Sequence, residues 1–330
     1  MIARAPTTEK IRAPRNRTIT LTANEVAGYR RNLLTLSCRV AAWQIENRTI
    51  HQNLSDILKW LPLGFVDLLF LDPPYNLTKS FNQNKFHERS TEKYRSWLET
   101  WLPDLLRVLK PTASVYACSD WRSSTALHLV LEKHLIVRNR ITWEREKGRG
   151  AKTNWKNCSE DVWFCTVSDD YRFNLDAVKL QRRVIAPYTD DGGTPKDWRH
   201  TKNGDFRITH PSNLWTDLSV PFWSMAENTD HPTQKPEKLL AKIILASSNL
   251  GEIVFDPFAG SGTTAVVAKK LGRKYVGVEI DEVYCCLAEK RLALAEANKT
   301  IQGYAGGFFW ERNSLNFQKR QKIKSNKEEP

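Results

Sequence analysis

The amino-acid sequence predicts an α/β fold: a doubly wound, mostly parallel sheet with one antiparallel strand at an edge and an inserted irregular region. Three observations predict it. Short apolar runs alternate with amphipathic stretches of helical length between residues 49 and 302, as a parallel sheet wound with crossover helices requires. Two of the apolar runs end in turns rich in Pro or Gly, Leu71-Asp72-Pro73-Pro74-Tyr75-Asn76 and Phe255-Asp256-Pro257-Phe258-Ala259-Gly260-Ser261-Gly262-Thr263-Thr264, and such turns mark where buried strands stop. The periodicity lapses once, over 175–230, and then resumes. A chain of 330 residues with 41% hydrophobic content can bury one large core and carry a smaller insert.

The elements follow in order. Residues 1–48 form a basic extension with a helix predicted over 23–36, where Val26, Tyr29, Leu33 and Leu36 recur at helical spacing. Its Arg12, Arg15, Arg17, Arg30 and Arg31 suit phosphate contact or a solvated basic arm equally. Residues 49–174 supply a helix over 54–60, a strand over 65–71 leading into the first turn, and a helix over 91–109. That helix sets Tyr94, Trp97, Leu98, Trp101, Leu105 and Leu109 on one face and is kinked at Pro103. A strand over 114–118, a helix over 124–133 and strands over 137–143 and 161–167 come next. No helix separates the last two, so an antiparallel hairpin is expected at one edge of the sheet. The polar loop between them is basic, and Lys147, Arg149, Lys152 and Lys156 suit a DNA-facing role, with Trp143 and Trp155 in the core or at the rim.

Residues 175–230 hold Arg182, Arg183, Lys196, Arg199, Lys202 and Arg207 among Trp198, Trp215, Phe222 and Trp223. A loop of this length without periodicity is functional or disordered, and its aromatics argue against disorder. Interleaved cations and rings suit phosphate contact and base stacking; an insert packing its own tryptophans is the plainer reading. The pattern resumes in residues 231–302. A helix over 236–248 opens on proline and buries Leu239, Leu240, Ile243 and Ile244. A strand over 253–255 feeds the glycine loop, a helix over 263–271 ends at Gly272, a strand spans 274–279, and a helix over 282–298 is capped by Asp281. Residues 303–330, with Lys319, Arg320, Lys322, Lys324 and Lys327, are expected to be a flexible basic tail.

Composition narrows the function. A net charge of +13 favours a polyanionic partner, nucleic acid before an acidic membrane. No apolar stretch approaches the roughly 20 residues that span a bilayer, and residues 1–17 lack the apolar middle of a signal peptide. A soluble, cytoplasmic protein is expected. The six cysteines show no zinc-type spacing, so no metal is expected and the thiols read as reduced.

The glycine loop is strand, turn and helix, so its backbone N–H groups face whatever lies over the helix N-terminus. No lysine stands beside Gly262, which removes a triphosphate-binding loop. A dinucleotide fingerprint would place glycine where Ala265 stands; alanine is tolerated there in some folds, so a nicotinamide cofactor stays open. Asp256 repels a pyrophosphate but can receive the ammonium of an amino acid, and Glu279 is placed to take both ribose hydroxyls. With Pro257, Phe258, Gly260, Gly262 and Thr263 shaping the loop, the pair describes S-adenosylmethionine. In the other turn, Asp72 and the Pro73 carbonyl offer acceptors for the two protons of an exocyclic amine, Pro74 stiffens the turn, and Tyr75 can stack on the base.

With these residues the chain resembles an amino-methylating DNA methyltransferase of the beta arrangement, in which Asp-Pro-Pro-Tyr precedes the target-recognition region and the cofactor loop comes last. The likeness covers 49–297. His231-Pro232-Thr233-Gln234-Lys235-Pro236 is also a signature of that family, and it implies that Thr233, Gln234 and Lys235 help hold the methionine end. The resemblance implies a seven-stranded sheet with one reversed strand and 175–230 as the recognition region. It also implies transfer to adenine N6 in duplex DNA by base flipping, in preference to cytosine N4. RNA substrates, a homodimer and a cognate restriction endonuclease in the same system stay open. A nicotinamide-dependent oxidoreductase and a noncatalytic DNA-binding protein are the rival classes. Many relatives carry aspartate near the cofactor adenine where Asn53 stands.

Overall fold

A computed structural model of the protein describes residues 12–82, 84–145, 152–184, 188–201 and 204–314. From Arg12 onward the basic extension is packed on the fold, with Arg12 paired to Asp230 and the Arg17 N–H bonded to the Trp223 carbonyl. Helix α1 (Ala23–Tyr29) opens on a reciprocal capping box between Thr22 and Glu25. Lys290 holds that end from outside, bonding Glu25 at 2.5 Å and the Thr20 carbonyl at 2.8 Å. The predicted helix over 23–36 ends early, in a 3₁₀ turn at Arg30–Asn32; Leu33 is already extended so that Leu34 can pair with the sheet edge. Short α2 (Ala42–Ile45) then precedes β1 (Arg48–His51).

From there the chain builds the sheet. Helix α3 (Leu54–Ile57), capped by Asn53, runs into a 3₁₀ turn and leads to β2 (Val66–Leu71). A small hairpin, β3 (Lys79–Phe81) and β4 (Asn84–Phe86), follows the Asp-Pro-Pro-Tyr turn. The predicted helix over 91–109 is two helices, α4 (Thr91–Glu99) and α5 (Leu102–Leu106), and Leu109 belongs to β5 (Leu109–Ser119). The break is physical: Pro103 cannot donate to the preceding turn, and Trp101 leaves helical φ/ψ just before it. Helix α6 (Ser124–Leu131) crosses to β6 (Ile136–Glu144), and β7 (Ser159–Thr166) returns.

Insert strands β8 (Leu180–Arg183), β9 (Arg199–Thr201), β10 (Gly204–Thr209) and β11 (Leu214–Trp215) come next. Helix α7 (Glu237–Ser247), β12 (Ile253–Asp256), α8 (Thr263–Lys270), β13 (Lys274–Glu279), α9 (Glu282–Ala297) and the hairpin β14 (Tyr304–Ala305) and β15 (Phe308–Trp310) complete the fold. Among the described residues, the main sheet runs β1-β13-β12-β2-β5-β7-β6-β11. Seven of these are the strands the resemblance implied; the eighth, two-residue β11, pairs parallel with β6. The reversed strand is β7, and it is not at an edge. It sits between β5 and β6, antiparallel to both, because α6 carries the chain one strand position too far and β7 returns into the gap.

Side chains alternate across the sheet with a period of two, and each face has its own core. On one side Leu69, Leu71, Val115 and Ala117 meet helices α3 to α6. On the other, Leu68, Phe70, Tyr116 and Val254 meet α7 and α8.

The region 175–230 has more regular structure than its sequence shows. Strands β8, β10 and β9 pair antiparallel, and β15 joins β8, making a sheet of order β14-β15-β8-β10-β9. The expected tail over 303–330 therefore starts as a folded hairpin: Phe309 and Trp310 are buried and seal the insert. The basic positions from Lys319 onward lie outside the described residues, as do Lys147, Arg149 and Lys202.

This cover explains why α7 buries its charged residues as well as its predicted apolar stripe. Lys238 and Lys242 both pair with buried Asp217 at 2.6 Å. Lys238 also donates to the Asp217 and Trp310 carbonyls, and Lys242 lies over the rings of Trp215 and Phe309. One carboxylate thus ties helix, insert and C-terminal hairpin together. Asp217→Asn should lower stability by about 3 kcal/mol, the scale for removing one partner of a buried ion pair. Chemical denaturation measures it, and an unchanged midpoint would reject the tie.

Candidate active site

Strand β2 runs beside β12, with Val254 opposite Leu68 and Phe255 opposite Leu69. The connections leave this pair in opposite directions, toward β13 on one side and β5 on the other. It is therefore the switch point of the sheet, where a crevice opens at the carboxyl ends of the strands. Both sequence motifs are the loops that leave those ends. They line one cavity of about 470 Å³.

The Asp-Pro-Pro-Tyr turn is clamped from behind. Tyr94 of α4 donates its hydroxyl to the Pro74 carbonyl at 3.0 Å. Asn76 bonds the Arg89 backbone twice at 2.8 Å, and its own N–H donates to Ser123 Oγ, which donates in turn to Asp120. Asp72, Pro73, Pro74 and Tyr75 all face the cavity. Lys235 reaches both oxygens of Asp72, at 2.8 and 2.7 Å. The signature lysine, which the resemblance placed at the methionine end, is thus bonded to the first turn while it lines the cavity. Tyr75 donates its hydroxyl to Glu160 of β7 at 3.0 Å, and Arg145 pairs with the other Glu160 oxygen. Burial, then Asp72 and Glu160, raise the Tyr75 pKa well above its ordinary value, so the hydroxyl stays a donor.

The glycine loop divides into residues that face the cavity and residues that hold the loop. Pro257, Phe258, Gly260 and Glu279 face it. Gly260 has φ +52°, and a Cβ there would meet His231 Nε2 at 2.9 Å, so only glycine fits beneath the imidazole. Burial, with Lys235 adding to it, lowers the His231 pKa to about 3 and keeps the ring neutral against Tyr284. Glu279 accepts from the Gly260 and Asp281 N–H groups, each at 2.8 Å, which leaves each oxygen a lone pair for a ligand. Burial raises its pKa.

Asp256 departs from its expected role. It does not line the cavity; its oxygens accept from Phe258 N at 3.0 Å and Thr264 Oγ1 at 2.5 Å, folding its own loop. Burial outweighs those bonds and raises its pKa to about 7. Gly262, Thr263 and Gln234 also stand behind the wall. A Cβ at Gly262 would lie 2.5 Å from that of Ala288, so this glycine serves the close packing of α8 on α9. Thr263 accepts from buried Arg291 at 2.9 Å. Gln234 knits the preceding segment, accepting from Thr229 and donating to the Glu227 carbonyl. Thr233 does line the cavity, and Asn53 lines it while capping α3.

Sequence reasoning missed Glu160 and Arg145. One signal was available: Glu160 shares an inward parity with Val162 and Phe164 along β7, and a carboxylate there demands a partner. Two of the predicted core aromatics prove to be cavity wall, for Trp97 and Trp101 line it, and Trp101 packs edge-on against Phe258. The β3–β4 hairpin overhangs the opening with Lys79 and Lys85, and Asn82 at its tip bonds Asp281 at 3.0 Å. Beside the mouth, Trp143 is buried whereas Trp155 is 97% exposed.

Comparison with known proteins agrees with this geometry. A family model described as DNA methylase matches residues 66–290. The chain is 35% identical over 267 residues to the DNA adenine methyltransferase YhdJ of Escherichia coli (strain K12), covering 78% of this chain and 87% of that one. It is 33% identical over 251 residues to the type II methyltransferase M.HpaI of Haemophilus parainfluenzae, covering 75% and 74%. Its fold is similar to that of the PvuII DNA methyltransferase (cytosine-N4-specific), with a TM-score of 0.54 at 15% identity over 76% of this chain and 92% of that one. A family match over residues 66–290, a span that contains both loops lining the cavity, establishes that the chain belongs to the N6/N4 DNA methylase family.

Proposed function

We propose that this protein transfers a methyl group from S-adenosylmethionine to the N6 amino group of adenine in a short sequence of duplex DNA. The observation that carries the reading is the single cavity shared by the Asp72 turn and the Gly260 loop. Similarity to a relative named as an adenine methyltransferase supports the choice of base.

The cavity fits that cofactor. Its volume lies within the range of small-molecule sites. Gly260, packed under His231, lines the cavity, and Glu279 offers acceptors for ribose hydroxyls beside the apolar Phe258 and Ile280. When bound, S-adenosylmethionine supplies a methyl carbon already activated by a sulfonium. The residues of this chain then have to prepare the nitrogen. An exocyclic amine is a weak nucleophile because its lone pair is delocalised into the ring. Asp72 and the Pro73 carbonyl accept hydrogen bonds from its two N–H groups, which favours a pyramidal nitrogen with the lone pair directed at the electrophile; the N–C bond formed replaces an S–C bond, and one amine proton is released. Tyr75 lies against the base plane and fixes the line of attack. Fixed dipoles and charges in a dry cleft do this without a covalent intermediate.

The base must leave the stack to reach Asp72, at a cost of a few kcal/mol offset by contacts in the pocket. The insert sheet, with Arg182, Arg183, Arg199 and Arg207, and the 152–158 loop are proposed to track phosphates beside the cavity mouth. Arg182 pairs with half-buried Glu311, whereas Arg207 pairs with exposed Asp197, a pair that can exchange for phosphate at little cost.

Three outcomes are expected. Asp72→Ala should lower methyl transfer to duplex DNA at least ~10³-fold, as loss of a preorganised electrostatic contact at the reacting centre does, while cofactor titration stays close to wild type. Digestion of the product and mass spectrometry of its nucleosides should give N6-methyladenine; N4-methylcytosine would correct the base, and an undiminished rate in the variant would remove Asp72 from the chemistry. Gly260→Val should weaken cofactor binding roughly 10-fold or more, because the new side chain meets His231 in a left-handed backbone; unchanged affinity in the titration would reject the loop assignment. DNA affinity should fall roughly 100-fold or more between about 50 and 200 mM salt if four or more phosphates are contacted. A flat response would contradict the phosphate-tracking surface.

A further inference from the structure

In the cavity wall one lysine is shared unequally by two carboxylates. Lys235 Nζ lies 2.8 and 2.7 Å from the two oxygens of Asp72 and 3.6 Å from Glu160 Oε2. Lys235 and Glu160 are 7% and 4% exposed, so neither can exchange its partner for bulk water. Glu160 is itself fixed on both oxygens. Tyr75 donates to Oε2 at 3.0 Å, and Arg145 pairs with Oε1.

The arrangement holds a conflict. On the reading above, Asp72 must accept a proton of the base amine, yet both its oxygens already receive the Lys235 ammonium. For the amine to dock, that ammonium has to yield at least one oxygen. A buried ammonium left without a counter-ion is strongly disfavoured, and the second carboxylate within ion-pair reach among the described residues is Glu160. Closing 3.6 Å to an ordinary charge-assisted hydrogen bond needs a shift of about 1 Å, within the freedom of a lysine side chain. Resting on the proposed methyl transfer to a base amine, we infer that Glu160 is a positioning residue that takes over Lys235 when the amine docks on Asp72, and that meanwhile holds Tyr75 by its hydroxyl against the base.

The surroundings suit that task. Burial works against the Lys235 charge, but Asp72 and Glu160 outweigh it and hold the lysine pKa above its ordinary value, so the ammonium persists in either position. Arg145 balances Glu160 when Lys235 sits on Asp72. With Asp72, Glu160, Lys235 and Arg145 charged, the cluster is neutral, and the handover moves a proton donor without changing the total charge of the wall. A glutamine at 160 would still accept from Tyr75, but it could not neutralise Lys235, so the lysine would stay on Asp72.

The test is steady-state methylation of a duplex oligonucleotide by the full chain, with cofactor affinity and melting temperature measured in parallel. Glu160→Gln should lower kcat roughly 10- to 100-fold, the scale for a small misplacement at the reacting centre, with cofactor Kd and KM for DNA within about twofold of wild type. Glu160→Asp keeps the charge and should retain more of kcat than Glu160→Gln. Tyr75→Phe removes only the hydroxyl bond and should cost less than Glu160→Gln. The double variant Glu160→Gln, Lys235→Met should lose no more than the worse single variant, because both changes interrupt one handover. A wild-type kcat in Glu160→Gln, a Glu160→Asp variant no better than Glu160→Gln, or losses that multiply in the double variant would overturn the inference while leaving the methylation reading intact. A wild-type chain that transfers no methyl group to DNA would instead sink that reading itself.

Discussion

The pairing of β2 with β12 is the constraint on which the rest depends. These two strands are far apart in sequence, and only their parallel pairing brings the turn after Leu71 beside the loop after Phe255. Each loop alone has a modest chemical repertoire. Asp72 and the Pro73 carbonyl can grip an amine but carry no electrophile, and the Gly260 loop can cradle a ligand but has no group that prepares an acceptor. Side by side on the same end of the sheet, they define a reaction between two bound molecules. The strand order fixes this, since the crossovers leave β2 and β12 in opposite directions and open a crevice at their ends.

Buried charge is the second organising feature, and it recurs in three places with one logic. Under the glycine loop, Arg291 of α9 bonds the Ser261 carbonyl, Thr263 Oγ1 and Glu237, so one guanidinium pins the loop to both α7 and α9. Beneath the insert, Asp217 collects Lys238 and Lys242. In the cavity wall, Lys235 and Arg145 answer Asp72 and Glu160. A buried pair is weak evidence for net stability, because desolvation offsets much of the attraction. Its directional bonds, however, fix register. The first two clusters lie where irregular loops meet helices and involve successive residues of α7, Glu237 and Lys238, whereas the third ties the turn after β2 and the segment before α7 to Glu160 of β7.

Much of this was legible in the sequence. The strand and helix order came from period-two and period-3.6 patterning, and Lys274 to Glu279 was readable as a strand to the residue because Gly272 and the glycine loop frame it. Residues whose geometry is set locally were also legible: Asp72 to Tyr75 face the cavity because two prolines and a strand end leave them little choice, and Gly260 because its φ is positive. What failed was pairing that depends on distant chain. The slot taken by β7 follows from the span of α6, which no local pattern encodes. The hairpin at Tyr304 to Trp310 looked like tail because its partner, β8, lies in a stretch with no periodicity of its own. Glu160 went unseen because its meaning rests on Tyr75, Lys235 and Arg145, which come from three separate segments.

Asp256 shows how a motif can be recognised correctly and its chemistry misassigned. The sequence places a carboxylate at the strand end before a glycine loop, and an ammonium ligand is the direct deduction from its charge. The structure turns both oxygens inward to Phe258 N and Thr264 Oγ1, with Thr264 on the first turn of α8. The acid therefore bends the loop and fastens it to the following helix. Gly262 and Thr263 serve the same end through Ala288 and Arg291, and Gln234 does so for the segment that delivers Lys235. In this motif Pro257, Phe258 and Gly260 face the cavity, whereas Asp256, Gly262 and Thr263 shape the loop. A backbone held at the correct curvature can present its own N–H and C=O groups to a ligand, and so the residues that fix that curvature are as restricted as those that make contact. Reading function from such a motif consequently requires separating the two sets, and burial with saturated hydrogen bonding is the physical criterion that does so.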